Sequence, residues 1–183
     1  MNQIHENWRE FIVESSSKTV DDLIQDDYLI TVTDLYPDVD MGIDGFVIAI
    51  TEFADDTPLG HVEIGTSQFR DSCGKDTLTI YYADASMIRG YGPLMYDISM
   101  EFARKKGFWL MSDRENIAHN AVRVWDYYLN KRSDVMNEPL PEGCPSPEEF
   151  SGEENNPLSY RYTKELDILP KLERVGRIKY LGS

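Results

Sequence analysis

The chain has 183 residues, 41% of them hydrophobic and 11% aromatic, a composition that builds a domain with a sizeable core and argues against disorder. A net charge of −15 argues against a nucleic-acid backbone as partner, suits a basic protein partner, and also serves plain solubility. No run approaches about 18 uninterrupted apolar residues, so no membrane partner is expected.

The N-terminus, MNQIHENWREF, lacks a basic region followed by an apolar core and does not read as a signal peptide. Cys73 and Cys144 lie far apart and match no metal-ligand spacing. Without a secretory signal they are expected to be free thiols in a reducing cytoplasm. The charge is uneven: −9 over residues 1–44 and −6 over residues 137–157, so the acid is concentrated at two places.

Residues 8–14 (WREFIVE) read as a first strand, and Ser15-Ser16-Ser17 as a turn. Thr19 with Asp22 resembles a capping box. Val20, Leu23 and Ile24, with Tyr28 at the end, make a helical face opposite Asp21, Asp22, Asp26 and Asp27. Pro37 and Gly42 close this region. Residues 45–68 read as a hairpin: Phe46 to Ile50 is a strand, Asp55 to Pro58 a turn, and Leu59 to Ile64 an alternating strand. Residues 70–76 are a polar turn.

Residues 77–107 (TLTIYYADASMIRGYGPLMYDISMEFARKKG) organise the rest. Leu78, Ile80 and Tyr82 alternate with Thr77, Thr79 and Tyr81, the period of a half-buried strand. Gly90-Tyr91-Gly92-Pro93 breaks that period, and Pro93 suits the first turn of a helix, where its missing N–H breaks no bond. Leu94, Ile98 and Phe102 form one apolar stripe. Arg104, Lys105 and Lys106 complement the helix dipole, and Gly107 supplies a left-handed stop. Strand, glycine turn and helix is a layout that points backbone N–H groups at an anion.

Phe108 to Met111 is a short buried strand, followed by the polar Ser112-Asp113-Arg114. Residues 118–132 are a helix with Ala121, Val124, Trp125 and Tyr128 on one face. Residues 137–157 hold five prolines and six glutamates, so they exclude a regular helix or inner strand and read as a long acidic loop. Tyr160 to Thr163 and Arg177 to Leu181 are the last strands of a single domain over residues 1–183.

Over residues 45–132 these elements resemble the acyl-CoA-binding core of the GNAT N-acetyltransferases. That family carries Gln/Arg-x-x-Gly-x-Gly/Ala between its fourth strand and third helix, and the amides of the turn hold the CoA pyrophosphate. Its glycines fall on Gly90 and Gly92, with Met87 at the Gln/Arg position. A second register begins at Arg89 and keeps Gly92, but puts Leu94 where a tiny residue belongs. The family's Asn-x-x-Ala, with Tyr four residues after the Ala, meets Ala118, Ala121 and Trp125 here, and the Gly-Phe that follows is absent. Small acetyltransferase-like proteins of bacteriophages are similar in carrying a Gly-Tyr-Gly-Pro-Leu turn.

The resemblance implies an α/β domain with a mixed, mostly antiparallel sheet flanked by helices. It implies acetyl-CoA as co-substrate, held where the fourth and fifth strands splay apart. Tyr82, Arg89, Gly90, Tyr91 and Gly92 are the candidate cofactor-binding residues. Glu63 and Asp84 are the candidate bases. Tyr128 is the candidate acid, standing in for the tyrosine that protonates the departing thiolate. His61 and His119 lack metal spacing, and no metal site is expected. The acceptor is the amine of a small molecule or protein. Two other classes stay open: a catalytically inactive GNAT-like binding protein, and an acidic inhibitor that imitates nucleic acid in a basic partner's site.

Overall fold

The computed structural model describes residues 17–35, 45–85, 87–115, 117, 119–147 and 155–182. The expected strand over residues 8–14 and the boundary at Pro37 and Gly42 lie outside the described residues.

One mixed sheet holds eight strands: β1 Tyr28–Leu35, β2 Gly45–Glu52, β3 Pro58–Thr66, β4 Thr77–Asp84, β5 Trp109–Ser112, β6 Val135–Pro139, β7 Tyr160–Lys164 and β8 Ile178–Leu181. Their spatial order is β6-β7-β5-β4-β3-β2-β1-β8. Only β4–β5 and β1–β8 are parallel; the other neighbours are antiparallel, as expected of a mixed, mostly antiparallel sheet. The helices described are α1 Val20–Gln25, α2 Arg70–Cys73, α3 Gly92–Lys105, α4 His119–Lys131 and α5 Ile168–Arg174.

The capping box holds at α1: the Asp22 N–H donates to Thr19 Oγ1 at 3.3 Å, and the Thr19 N–H donates to Asp22 Oδ2 at 2.8 Å. The helix then stops short of Tyr28. Asp27 turns left-handed at φ 59°, and Tyr28 opens β1 instead of completing a helical face. The run Ile30-Thr31-Val32-Thr33 is β-branched throughout, and its fit to the pleated, buried surface between β2 and β8 overrides the helical spacing of Tyr28.

The hairpin of β2 and β3 pairs Ile48 with Val62, and its turn is closed by Thr57, whose N–H donates to Asp55 Oδ1 at 3.0 Å. The α3 stripe packs as expected, with Leu94, Ile98 and Phe102 buried and Gly107 left-handed at φ 86°. Yet α3 is enclosed on nearly all sides, since Asp97, Ser99 and Glu101 are buried too. It crosses between β4 and β5 and lies in the core with Ile48, Val62 and Ala83. On α4, Val124, Trp125 and Tyr128 are buried, Trp125 against Tyr96 and Tyr162 at ring separations of 5.7 and 4.9 Å.

The cysteines correct the expectation of free thiols. Cys73, at the end of α2, is disulfide-bonded to Cys144, with their Cα atoms 4.6 Å apart. Spacing along the chain gave no hint, because the chain must close a separation of 71 residues to bring them together. The acidic loop is also tied at both ends. Its first residues, Asn137 to Pro139, belong to edge strand β6, where Pro139 is tolerated. At its far end Pro157 and Leu158 are buried, and Tyr162 Oη donates to the Pro157 carbonyl at 2.6 Å. The helix α5 was not expected; Ile168, Leu169 and Leu172 are buried along one face.

Candidate functional site

The feature that sets β4 apart is a change of partner halfway along it. Thr77 to Ile80 pair with Trp109 to Ser112 of β5, and there β5 ends. The strand β4 runs on through Tyr81, Tyr82, Ala83 and Asp84, in register with β3. The parallel pairing of β4 and β5 ends at this point, and among the described residues no second strand pairs with the last four residues of β4.

A bulge coincides with the parting. Ile64 pairs with Ile80, but Glu63 pairs with Tyr82, so Tyr81 is an extra residue in β4. The bulge overturns the alternation expected of this strand. Leu78 and Ile80 face the core, then Ala83 does, while Tyr82 is 49% exposed. Tyr81 is held outward, its hydroxyl donating to the Thr66 carbonyl at 2.7 Å.

Successive strand residues point to opposite faces. Val62 and Ala83 enter the core beside α3, so His61, Glu63, Tyr82 and Asp84 lie together on the other face. His61 pairs across the ladder with Asp84, and Glu63 with Tyr82. The His61 ring stacks on the Tyr82 ring, with centroids 5.0 Å apart and planes 25° apart. His61 Nε2 lies 3.3 Å from Glu63 Oε1. Gly60 permits this approach of the strands: a Cβ there would meet the Asp84 carbonyl oxygen at 2.7 Å. Three of the candidate residues, Glu63, Tyr82 and Asp84, are thus brought together. His61 joins them, a residue weighed in the sequence only for metal spacing.

The glycine turn lies at the start of α3. Gly90 is left-handed at φ 82°, and Tyr91 is the N-cap residue. No side chain caps this helix. The Tyr91 side chain is buried and turned toward α1, where its hydroxyl donates to Asp26 Oδ2 at 2.7 Å. Burial, then the bond to Asp26, pushes its ionisation well above the usual tyrosine range. The Lys18 N–H donates to the Gly90 carbonyl at 3.0 Å and fixes the turn from the same side. Tyr91 is therefore available to a ligand through its backbone, not its ring. Arg89 and Met87 are exposed beside the turn.

Tyr128 sits elsewhere. The residue is 1% exposed, and its hydroxyl donates to the Pro93 carbonyl at 3.1 Å and to Asp97 Oδ1 at 3.0 Å. Arg132 grips both oxygens of Asp97 at 3.1 and 2.9 Å and pairs with Asp134 as well. Burial raises the ionisation of Tyr128 and of Asp97, against the pull of Arg132 on the latter. The structure does not bond Tyr128 to Glu63 or Asp84; it fastens α4 to the first turn of α3. Arg114, beyond β5, is also structural. It donates to the Ser112 carbonyl and to the Leu158 carbonyl at 3.3 and 2.7 Å, and burial pushes it down to about 10.

A cleft of about 400 Å³ opens on another side of α3, between Lys18, Pro93, Asp97, Arg132 and Lys164. Its cations face acids at 2.8 to 3.2 Å: Lys171 against Asp21, Arg132 against Asp97, Lys164 against Glu101 and Lys18 against Asp26.

No family model and no curated protein matches the chain. Among the described residues, no helix is long and apolar enough to cross a membrane.

Proposed function

We propose that the chain is an acyl-CoA-dependent N-acyltransferase, with acetyl-CoA as donor and the amine of a small molecule or a protein as acceptor. The observation that carries this reading is the parting of β4 and β5 directly before the glycine turn of α3. It provides the gap in which the resembled family holds its donor.

The residues fit such a donor. The first N–H groups of α3 have no side-chain cap, and a helix start of this kind favours a phosphate. Gly92 carries no Cβ to hold a phosphate off the backbone. Arg89, exposed next to Gly90, adds a cation. Beyond Ile80, where the pairing with β5 ends, the edge of β4 could receive an extended amide chain as an added strand would be received. When bound, the donor supplies a thioester, the activated acyl group. The protein's share is to hold it, to orient the amine and to relieve the amine of a proton. Glu63 and Asp84 stand where an acceptor's positive charge is attracted, and the acidic surface suits a polyamine, an aminoglycoside or a lysine-rich tail.

A second reading is favoured by one observation. Tyr128, one helical turn beyond the resembled family's acid position, is buried and donates its proton to Pro93 and Asp97. A GNAT-like binding protein without catalysis would tolerate that arrangement. The test is acetyl transfer from labelled acetyl-CoA to spermidine, kanamycin and a lysine-rich peptide. Transfer to any of them, abolished by Gly92→Val, is the expected result. Donor binding with no transfer to any of the three would select the binding protein.

A further inference from the structure

Resting on the acyltransfer reading above, we propose that the acceptor is an aliphatic ammonium seated on the open face of β3 and β4, and that His61 is the group that takes its proton.

An aliphatic ammonium holds its proton to a pH of about 10. A base that works at neutral pH must accept that proton and release it again, and imidazole is the side chain whose charge changes nearest to neutrality. His61 is the one histidine on this face of β3 and β4, and it is built into the face. Its Nε2 is 3.3 Å from Glu63 Oε1, its ring is stacked on Tyr82, and its ladder partner is Asp84. The ring is held from two directions yet remains partly open to solvent, with a side-chain exposure of 33%.

The neighbours divide the remaining work. Glu63 and Asp84 attract the ammonium and disfavour an uncharged or anionic acceptor. The half-exposed Tyr82 ring offers its face to a cation, an attraction that reaches about 6 Å from the ring centre. Glu63 is a positioning residue: with Nε2 turned to its carboxylate, Nδ1 is the nitrogen that receives the proton. Tyr82 is in β4, the strand whose other edge borders the gap, so an amine on this face lies one strand away from the donor's path.

One N–H bond of the ammonium breaks, and its proton passes to His61 Nδ1. The freed lone pair forms a C–N bond to the thioester carbonyl carbon, and the C–S bond breaks with its electrons on sulfur. The nitrogen, cationic again, gives a second proton to the thiolate. The products are an amide and a thiol, and His61 returns its proton to water. No oxidant or reductant is needed.

The experiment joins donor binding by calorimetry to the pH profile of acetyl transfer to spermidine, for the wild type, His61→Gln and Glu63→Gln. Circular dichroism checks the fold of each. The expected result is that all three bind acetyl-CoA within a few-fold of one another. The wild type loses activity on the acid side, His61→Gln loses 10²-fold or more in kcat together with that acid limb, and Glu63→Gln loses about tenfold in kcat. His61→Gln that binds donor, turns over and keeps the same acid limb overturns the role of His61 alone. A wild type that binds no acetyl-CoA overturns the acyltransfer reading, and the base falls with it.

Discussion

Two groups of polar side chains flank the same segment of chain and are treated in opposite ways. Under α3 and beside it, Glu101, Lys164, Asp97, Arg132 and Tyr128 are buried or nearly so and bonded to one another. On the open face, His61, Glu63, Tyr82 and Asp84 are partly exposed; the His61 ring stacks on Tyr82 and its Nε2 lies 3.3 Å from Glu63. A buried charge survives only where partners offset its desolvation, so the first group is bound to the fold. A partly exposed group costs little to keep and can be reached by a ligand from solvent. The difference teaches where a ligand can meet polar side chains: on the face that solvent still reaches.

Breaking the buried group should damage stability most. Glu101 is fully buried and accepts from Lys164 Nζ at 3.1 Å and from the N–H groups of Ile168 and Leu169 at 2.9 and 2.8 Å, so it caps α5 from across the core. Lys164→Met strands that carboxylate and should cost about 3–5 kcal/mol, read by urea unfolding. Replacing both partners together, Glu101→Met with Lys164→Met, should cost much less than the sum of the two changes.

Next in size is the disulfide. Cys73→Ser, or reduction, releases a closure of 71 residues and should lower stability by about 2–4 kcal/mol. Labelling of the wild type by a thiol reagent in denaturant without reductant would show two free thiols if the pairing is wrong.

Tyr128→Phe removes a buried donor and leaves Pro93 and Asp97 with one partner fewer. A loss of about 1–3 kcal/mol is expected, with donor affinity changed less than a few-fold. If stability is untouched while kcat falls 10²-fold, Tyr128 belongs to the reacting group and the division drawn here fails.

Smaller still is a pH effect. Burial, which penalises the charged form, pushes Glu101 up to about 7. The folded state then holds that proton more tightly than the unfolded chain. The contribution is complete below the ordinary value of 4.5 and is lost as pH rises toward 7. The melting temperature of Glu101→Gln should accordingly change less between pH 5 and 7 than that of the wild type. The smallest effect on stability is expected from the open face. Tyr82→Ala should shift it by no more than about 0.5 kcal/mol, while raising KM for a polyamine acceptor.

Much of this was legible in the sequence. Apolar composition placed β2, a period of two placed β3 and the first half of β4, and helical spacing placed one buried stripe on each of α3 and α4. Tyr28 misled because a helical spacing happened to extend into a β-branched run, and only the sheet decides between them. The bulge at Tyr81 was invisible because Tyr81 and Tyr82 are the same residue, so a one-residue slip leaves the pattern unchanged. Glu63, Tyr82 and Asp84 became candidates because the resemblance places a cleft beside their strands. His61 was passed over because it was tested against metal spacing, whereas its meaning lies in a cross-strand stack. Both hydrogen-bond partners of Tyr128, Pro93 and Asp97, come from α3, and no local pattern announces a bond between residues 31 apart.

The central claim is that the parting of β4 and β5 and the turn at Gly90–Gly92 form a donor site. Calorimetric titration with acetyl-CoA, on the wild type and on Gly92→Val, tests it most directly. The account predicts saturable one-to-one binding to the wild type and its loss in a folded Gly92→Val variant. No heat of binding to the wild type at millimolar acetyl-CoA, or equal affinity in the two proteins, would contradict it.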